Sequence, residues 1–288
     1  MVRSTSQIKG KAYEEFVMSI LTRAVTAIAA ALVLMSTLPA QQRIVDDLFR
    51  EITDDLILHD PTIATMSRYF TGEEQNRLER QITPLTMEWR KGRTERARLG
   101  LAELRKFDRT RMTDVQRVSA DLMEWGLESF VRRDRYSDYS FPLDQFQGAN
   151  VTLVSLLAVV HPLSTERDAE NYVAALGQVG MRMDEAVGEA LRIAKKGIIP
   201  PKFILQATIK QMQSFIDQAP AQNPFVSALV QKMAAIKSIP ETKQAELRAS
   251  AEKIITTQVY PAWKKGIELL QFQNAKATED AGLWRLKG

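Results

Sequence analysis

KGIIPPKFILQATIKQM, residues 196–212, is the stretch of this 288-residue chain that decides its fold. Gly197 can take the left-handed backbone conformation that commonly ends a helix, because glycine has no side chain to clash there. Proline is tolerated in the first turn of a helix, where its missing N–H would have no partner, so Pro200 and Pro201 favour a new helix immediately afterwards. The stretch therefore predicts a corner between two helices, the second running from about Pro201 to Asp217.

The rest of the chain shows the same helical pattern. From Gln41 onward, apolar residues recur at spacings of three and four, and no run of strand-like alternation interrupts them. No fixed-period repeat indicates a solenoid. With 45% hydrophobic and 26% charged residues, the composition is that of a globular protein. We therefore predict an all-α fold built from long antiparallel helices.

Capping residues and prolines predict where individual helices begin and end. An amphipathic helix is expected over residues 43–58, ending before Pro61. Thr113 and Gln116 have the spacing of a capping box, in which each side chain satisfies the other's free backbone donor. The apolar face of the helix that follows consists of Val115, Val118, Leu122 and Trp125.

A longer helix should begin at Ser164 or Thr165 and end at Lys196. Some thirty residues rising 1.5 Å each make a rod of about 45 Å, which suits a large helical wall better than a small bundle. Further along, Asn223 is a predicted cap with Pro224 in the first turn.

Three other features complete the helical pattern. Ser238 with Glu241 repeats the capping-box spacing. The helix that follows should kink or stop near Pro261, because an interior proline clashes with the preceding turn. Residues 136–150 have weak helical character and are predicted to form a loop.

The first forty residues resemble a leader rather than part of the fold. Arg23 precedes an apolar run of about a dozen residues, whereas a membrane span needs about 20. This pattern favours a secretory signal peptide that ends near Ala40. Translation can begin at Met1 or at Met18, and Met18 opens the segment in the way expected of a signal peptide.

We assign residues 1–40 to a leader and signal peptide, and residues 41–288 to one helical domain. The protein would then be periplasmic or secreted, with membrane contact only through the signal segment. A membrane-anchored protein is the alternative. The formal charge of +4 gives no argument for a nucleic-acid partner.

The sequence offers few groups for hydrolytic or metal chemistry. It has no cysteine, which excludes disulfides, thiolate metal ligands and cysteine nucleophiles. His59 and His161 lie far apart, so they do not form the H-E-x-x-H arrangement that places two imidazoles on one zinc ion. No P-loop, G-x-S-x-G or G-x-G-x-x-G motif is present. We therefore predict no catalytic, cofactor-binding or metal-binding residue in this chain.

One segment is strongly basic. Between Arg77 and Arg117, twelve Lys or Arg residues stand against six acids. Few aromatic residues lie among them, which argues against a surface that stacks on bases. We predict a solvated, ion-paired helix face. The alternative is binding to an anionic polymer or to lipid headgroups through Arg93, Arg96 and Arg98.

Six segments, in order and spacing, resemble the bacterial domain-of-unknown-function family 885 (DUF885). They are HDPTIAT (59–65), DYSFPLDQFQGA (138–149), HPLSTERDAENYVAAL (161–176), GIIPPKFILQATIKQM (197–212), VYPAW (259–263) and DAGLWRL (280–286). The resemblance covers nearly all of residues 41–288. DUF885 proteins look like relatives of helical zinc peptidases, such as thermostable carboxypeptidases and thimet-type oligopeptidases, whose long helices enclose a substrate channel.

The resemblance implies a metallopeptidase-like architecture of which this chain forms one wall. In such proteins the zinc motif belongs to a C-terminal half that follows the DAGLWRL-like segment. Zinc is therefore expected only in a full-length relative, and no cofactor is expected in this chain.

Two functions follow from these observations. The first is an exported, non-catalytic N-terminal half, truncated or split, that binds a complementary C-terminal half or a peptide ligand. Such a half should expose an apolar surface that its complement would cover. The second is a standalone binding or scaffold protein of the envelope with no enzymatic role. Catalysis by the chain itself would need a carboxylate or tyrosine site that the sequence does not reveal.

Overall fold

A computed structural model describes residues 44–282 and residue 284. The chain divides into two units, Met1–Ile44 and Val45–Gly288, and the second is described here. The predicted leader and signal peptide lie outside the described residues. Across the described residues the fold is all-α without strands, which confirms the predicted class. No helix in that part of the chain is long and apolar enough to cross a membrane.

Eleven α-helices occupy the described residues. They are α1 (Val45–Leu58), α2 (Pro61–Ser67), α3 (Gly72–Glu79), α4 (Met87–Leu104), α5 (Asp114–Arg133), α6 (Ala149–Val154), α7 (Glu166–Ala194), α8 (Lys202–Ile216), α9 (Pro224–Ala234), α10 (Glu241–Ile254) and α11 (Tyr260–Asn274). Single π-helical turns, Ser155–Val160 and Ile255–Val259, follow α6 and α10.

Most predicted helix boundaries are confirmed. Thr113 and Gln116 form the capping box of α5, and Thr165 caps α7 with Asp168 as its partner. Gly197 has a left-handed backbone (φ +82°), so the corner before α8 forms as its sequence predicts. Asn223 caps α9 by accepting a hydrogen bond from the backbone N–H of the second helical residue.

One predicted cap is wrong. Ser238 does not cap α10, because the helix starts at Glu241 with Pro240 in the cap position and without a side-chain cap. Pro240 has an extended backbone and occupies the cap position, which lies two residues after Ser238. The interruption expected at Pro261 is confirmed, since a π-helical turn separates α10 from α11.

The helices pack around two hydrophobic cores. The larger core joins α6 to α11 and contains the fully buried side chains of Tyr172, Phe225 and Trp263. The Tyr172 hydroxyl donates to the Phe225 carbonyl at 2.8 Å, so its polar end is satisfied inside the core. The smaller core joins α1, α4 and α5, with Leu48 and Leu104 at its centre.

The face of α5 that packs against the core is not the most apolar face in its sequence. Ala120 and Leu127 are buried against α1 and α4. The predicted apolar face, by contrast, is exposed to between 59% and 76% at all four of its positions, Val115, Val118, Leu122 and Trp125. The helix therefore has two apolar faces, and only one is covered by the described chain.

Candidate functional site

Hydrogen bonds hold the irregular segment 80–86 against α7, and this position fixes where α4 begins. The Ile82 N–H donates to Gln178 Oε1 at 3.1 Å, and the Leu85 N–H donates to Glu185 Oε2 at 2.7 Å. Thr86 then caps α4 by accepting from the Trp89 N–H. Polar groups of α7 thus place the first turn of α4 at the junction of the two cores.

A cleft lies at this junction. Two neighbouring cavities of about 210 and 520 Å³ share Trp89, Arg90 and Ser140 in their linings, and together they are called the cleft. Its walls come from α4, α5, α6 and α7, from the segment 80–86 and from the segment between α5 and α6. The larger part is lined by aromatic and guanidinium side chains, among them Phe130, Arg133 and Tyr136.

One wall of the cleft is held by a chain of ion pairs. Arg90 of α4 pairs with Glu189 of α7, whose carboxylate also accepts from Arg192 Nε at 3.0 Å. Arg192 pairs in turn with Asp138, which lies 2.6 Å from Lys196 Nζ. The hydrogen bond from Arg192 holds the pKa of the Asp138 carboxyl well below its usual range.

Arg93 is a weakly compensated cation in the cleft. Its nearest carboxylate is Asp60, with 3.9 Å between Arg93 Nη1 and Asp60 Oδ2. Its guanidinium carbon lies 4.4 Å from the Phe130 ring centroid and 5.4 Å from that of Trp89. Burial lowers the pKa of Arg93, and nearby Arg133 and Arg96 act in the same direction. The cleft can therefore accept a negative charge at this point.

The loop predicted over residues 136–150 is confirmed only for 140–148, part of which lines the cleft, because 136–139 belong to a 3₁₀ helix and 149–150 to α6. Residues Asp134–Tyr139 form a 3₁₀ helix, and the loop continues to Gly148. Asp144 Oδ1 accepts from the backbone N–H groups of Phe146 and Gln147, at 2.6 and 2.7 Å. At Gly148, a Cβ atom would overlap the Asp144 backbone nitrogen. Only glycine fits this close approach.

The second feature of interest is the exposed face of α5, which we call the α5 seam: Val115, Val118, Leu122 and Trp125. Its members are separated by three, four and three residues. This is the spacing of the apolar positions of a coiled coil, which place one stripe of side chains against a facing helix. Contiguous exposed apolar residues commonly mark an interaction surface.

The two histidines occupy different environments, and the structure does not bring them together. His161 is buried, with Nε2 3.2 Å from the Glu79 carbonyl oxygen and Nδ1 2.9 Å from that of Pro162. His59 is on the surface, with Nδ1 3.2 Å from an Asp55 carboxylate oxygen.

Zinc does not fit the residues that the structure describes. Those residues contain no group of three or more His, Cys, Asp or Glu placed to hold a metal ion. We therefore derive no metal chemistry from them.

The basic segment is largely ion-paired, as predicted. Arg98 pairs with Glu95, and Arg105 contacts both Glu124 and Glu128 of α5. Most of these pairs lie on the surface and contribute little to stability. Arg93 differs from them because it points into the cleft among aromatic rings.

The family model described as a bacterial protein of unknown function (DUF885) matches residues 61–285. The chain belongs to the DUF885 family. The match includes α2 to α11, and therefore all the elements that line the cleft. A search of curated protein sequences gives no match.

A solved structure shares the fold of this DUF885 chain. It is the crystal structure of a protein described as a putative lipoprotein from Colwellia psychrerythraea, with a TM-score of 0.73 and 17% sequence identity. The match covers 83% of this chain and 43% of that one. This DUF885 chain thus spans less than half the length of the lipoprotein, and at this identity the likeness shows the fold alone.

Sequence reasoning missed the cleft of this DUF885 protein. Trp89 and Arg93 stand one helical turn apart on α4, which is a readable signal for a paired aromatic and cation. Phe130 and Tyr136 join them from some forty residues further along the chain. Only the folded packing of α4 against α5 brings these aromatic residues to the basic segment.

Proposed function

We propose that this chain is the exported, non-catalytic helical half of a metallopeptidase-like DUF885 protein, completed by a helix of a complementary polypeptide that packs on the α5 seam. The observation that carries the proposal is the exposure of all four seam side chains at coiled-coil spacing. A complete, self-sufficient surface would not be expected to leave this stripe in water.

The energetics favour a polypeptide over a short peptide as the occupant. Burying a large apolar side chain fully contributes about 1.5–3 kcal/mol. Association itself costs at least about 4 kcal/mol in lost freedom of motion. Four partly exposed residues therefore give only a modest surplus. A partner that also makes contacts beyond the seam would bind stably.

The comparison supports this proposal in one respect. In the Colwellia psychrerythraea protein, more than half of the chain lies outside the part that matches this fold. Additional polypeptide therefore accompanies the same helical arrangement in that protein. In this proposal, zinc binding and water activation belong to the complementary polypeptide.

We propose an exported location for the same protein. The apolar run ahead of Ala40 has the length of a signal peptide, and the structural relative is described as a lipoprotein. The chain would be periplasmic or secreted, or held at the membrane by an uncleaved segment. Cell fractionation with N-terminal sequencing distinguishes these, since cleavage predicts an N-terminus near Gln41 and an intact cytosolic chain would contradict export.

The functional test is co-purification. This chain is co-expressed with the polypeptide encoded directly downstream, and the purified material is assayed for zinc-dependent peptide hydrolysis. We expect a complex that hydrolyses peptides, whereas the chain alone does not. Val118→Ser with Leu122→Ser should break the complex. Phe272→Ser is the matched control, because Phe272 is similarly exposed but lies on α11, away from the α5 seam.

A second candidate function is a standalone binding protein of the envelope. The observation that favours it is the cleft, in which Arg93 faces aromatic rings and its nearest carboxylate oxygen lies 3.9 Å away. Such a site suits a peptide or polymer segment that carries negative charge. If the purified chain is monodisperse, forms no complex and binds anionic peptides through Arg93, this second function replaces the first.

A further inference from the structure

A groove next to the cleft lies along the smaller core and is lined mainly by residues of α1, α4 and α5. Its volume is about 350 Å³, which lies at the lower end of the range for small-molecule sites. Its two long walls are apolar. They consist of Ile52, Leu56 and Ile57 of α1 and Met123, Leu127 and Phe130 of α5.

The walls offer almost no hydrogen-bonding group. Thr53 is the polar exception on α1, and its hydroxyl already donates to the Phe49 carbonyl at 2.8 Å. A peptide backbone laid in the groove would leave its N–H and C=O groups without partners, which is costly in an apolar site. The walls therefore suit a hydrocarbon chain better than a peptide.

Arg93 is the only charged residue among those that line the groove. It also lines the larger cavity of the cleft, so it closes the groove at the end where the two meet. Its side chain is 32% exposed, and its nearest carboxylate oxygen is Asp60 Oδ2, at 3.9 Å from Nη1. At this distance the ion pair has no direct hydrogen bond, and the hydrogen bonds that Asp60 accepts, from the Thr83 hydroxyl and the Ile63 N–H, are at its other oxygen, Oδ1.

The cation is therefore incompletely neutralised. Arg133 also lines the larger cavity, and its positive charge adds to that of Arg93. A guanidinium that is partly removed from water gains most from a carboxylate that it can bind through two parallel hydrogen bonds. The groove thus combines an apolar wall with an anion site at one end.

We propose that this groove binds a free monocarboxylate with an unbranched hydrocarbon tail, with the tail between α1 and α5 and the carboxylate on Arg93. The charge of Arg93 favours the carboxylate end of this ligand, and the apolar walls favour its hydrocarbon tail. The site goes beyond the proposed role of the α5 seam, since it uses another set of α5 side chains and needs no partner polypeptide.

The chain offers a well-matched pair of variants for testing this site. Gly126 lines the groove, and a Cβ atom added there meets no atom within 4 Å. Gly126→Ala therefore adds one methyl group without strain. Gly126→Leu extends a branched side chain into the space that the tail would occupy.

Titration calorimetry of the purified chain with hexanoate, octanoate and decanoate, below their micelle concentrations, tests the proposal. Each added methylene should tighten binding about fourfold until the groove is full. Decanoate affinity should fall at least about tenfold in Gly126→Leu and in Arg93→Met, and stay within about twofold in Gly126→Ala. Decanol should bind the wild type at least about tenfold more weakly than decanoate does.

Other results would overturn the proposal. Absence of decanoate binding to the wild-type chain, equal affinity across the three chain lengths, or equal affinity for decanol would each do so. The chain-length series needs no variant, so the test stands even if Gly126→Leu fails to fold. Val118→Ser and Leu122→Ser should not change decanoate binding. Failure of this proposal therefore does not decide the proposal about the α5 seam.

Discussion

The guanidinium of Arg68 lies 3.1 Å from the Asp168 carboxylate, measured from Nη2 to Oδ1, although the Arg68 backbone is left-handed. Arg68 ends α2 with φ 47° and ψ 42°, and its Nε also lies 3.3 Å from Glu79 Oε1. Both carboxylates are buried. Arg68 therefore bridges two buried acids while holding a backbone conformation that is unfavourable for a residue with a Cβ atom.

This geometry predicts an unusual order of stability. Arg68→Ala and Arg68→Gly both remove the cation that neutralises Glu79 and Asp168. Only the glycine variant also removes the cost of the left-handed backbone. We expect Arg68→Gly to be more stable than Arg68→Ala by about 1 kcal/mol in urea denaturation. Equal stabilities would show that the backbone at this position is unstrained.

The ion pairs of Asp138 predict a loss of stability in acid. Arg192 and Lys196 lower the pKa of Asp138 in the folded protein, so the fold favours its charged form. This contribution is present at neutral pH and is lost as the pH falls below the ordinary value of 3.8. Asp138→Asn should cost about 1 kcal/mol at neutral pH, and its difference from wild type should shrink in acid. A difference that is independent of pH would contradict this account.

Because His161 is buried, we predict a second loss of stability on acidification, which begins at a higher pH than that of Asp138. Burial lowers its pKa below 6.5, and Lys232 acts in the same direction, whereas the Glu79 charge opposes them. The unfolded chain thus binds more protons, so stability should fall as the pH drops below 6.5, by up to about 1.4 kcal/mol per pH unit. His161→Gln should flatten this slope. The matched control is His59→Gln, which should retain it.

The loop that follows the 3₁₀ helix provides a test of close packing. Gly148→Ala should destabilise the protein by about 1–3 kcal/mol, because the added methyl group overlaps the Asp144 backbone. Gly177→Ala in α7 is the control. A Cβ atom there meets nothing within 4 Å, so this variant should be stabilised by about 0.5–1 kcal/mol. Similar melting temperatures for the two variants would show that the loop can shift.

Local signals in the sequence predicted most of the helix boundaries. The Thr113 box and the Gly197 corner depend on residues within one or two turns, and both form as expected. Ser238 failed because a proline between it and the helix took the cap position. Local chemistry therefore determines the helix ends unless a neighbouring residue competes for the same position.

The covered face of α5 and the cleft were not predictable in this way. The face bearing Leu122 and Trp125 is more apolar than the buried face, where Ala120 lets α5 approach its neighbours closely. The choice between the two faces depends on α1 and α4, which are distant in sequence. In the sequence, Arg93 likewise cannot be distinguished from the surface arginines, because its aromatic neighbour Phe130 belongs to another helix.

The central claim is that the α5 seam receives a second polypeptide, and isothermal titration of this chain with the purified downstream polypeptide tests it most directly. The account predicts saturable binding by the wild type and by Phe272→Ser, with affinity reduced at least about tenfold in the Val118→Ser, Leu122→Ser variant. Undiminished binding by the seam variant, or no binding by the wild type, would contradict it.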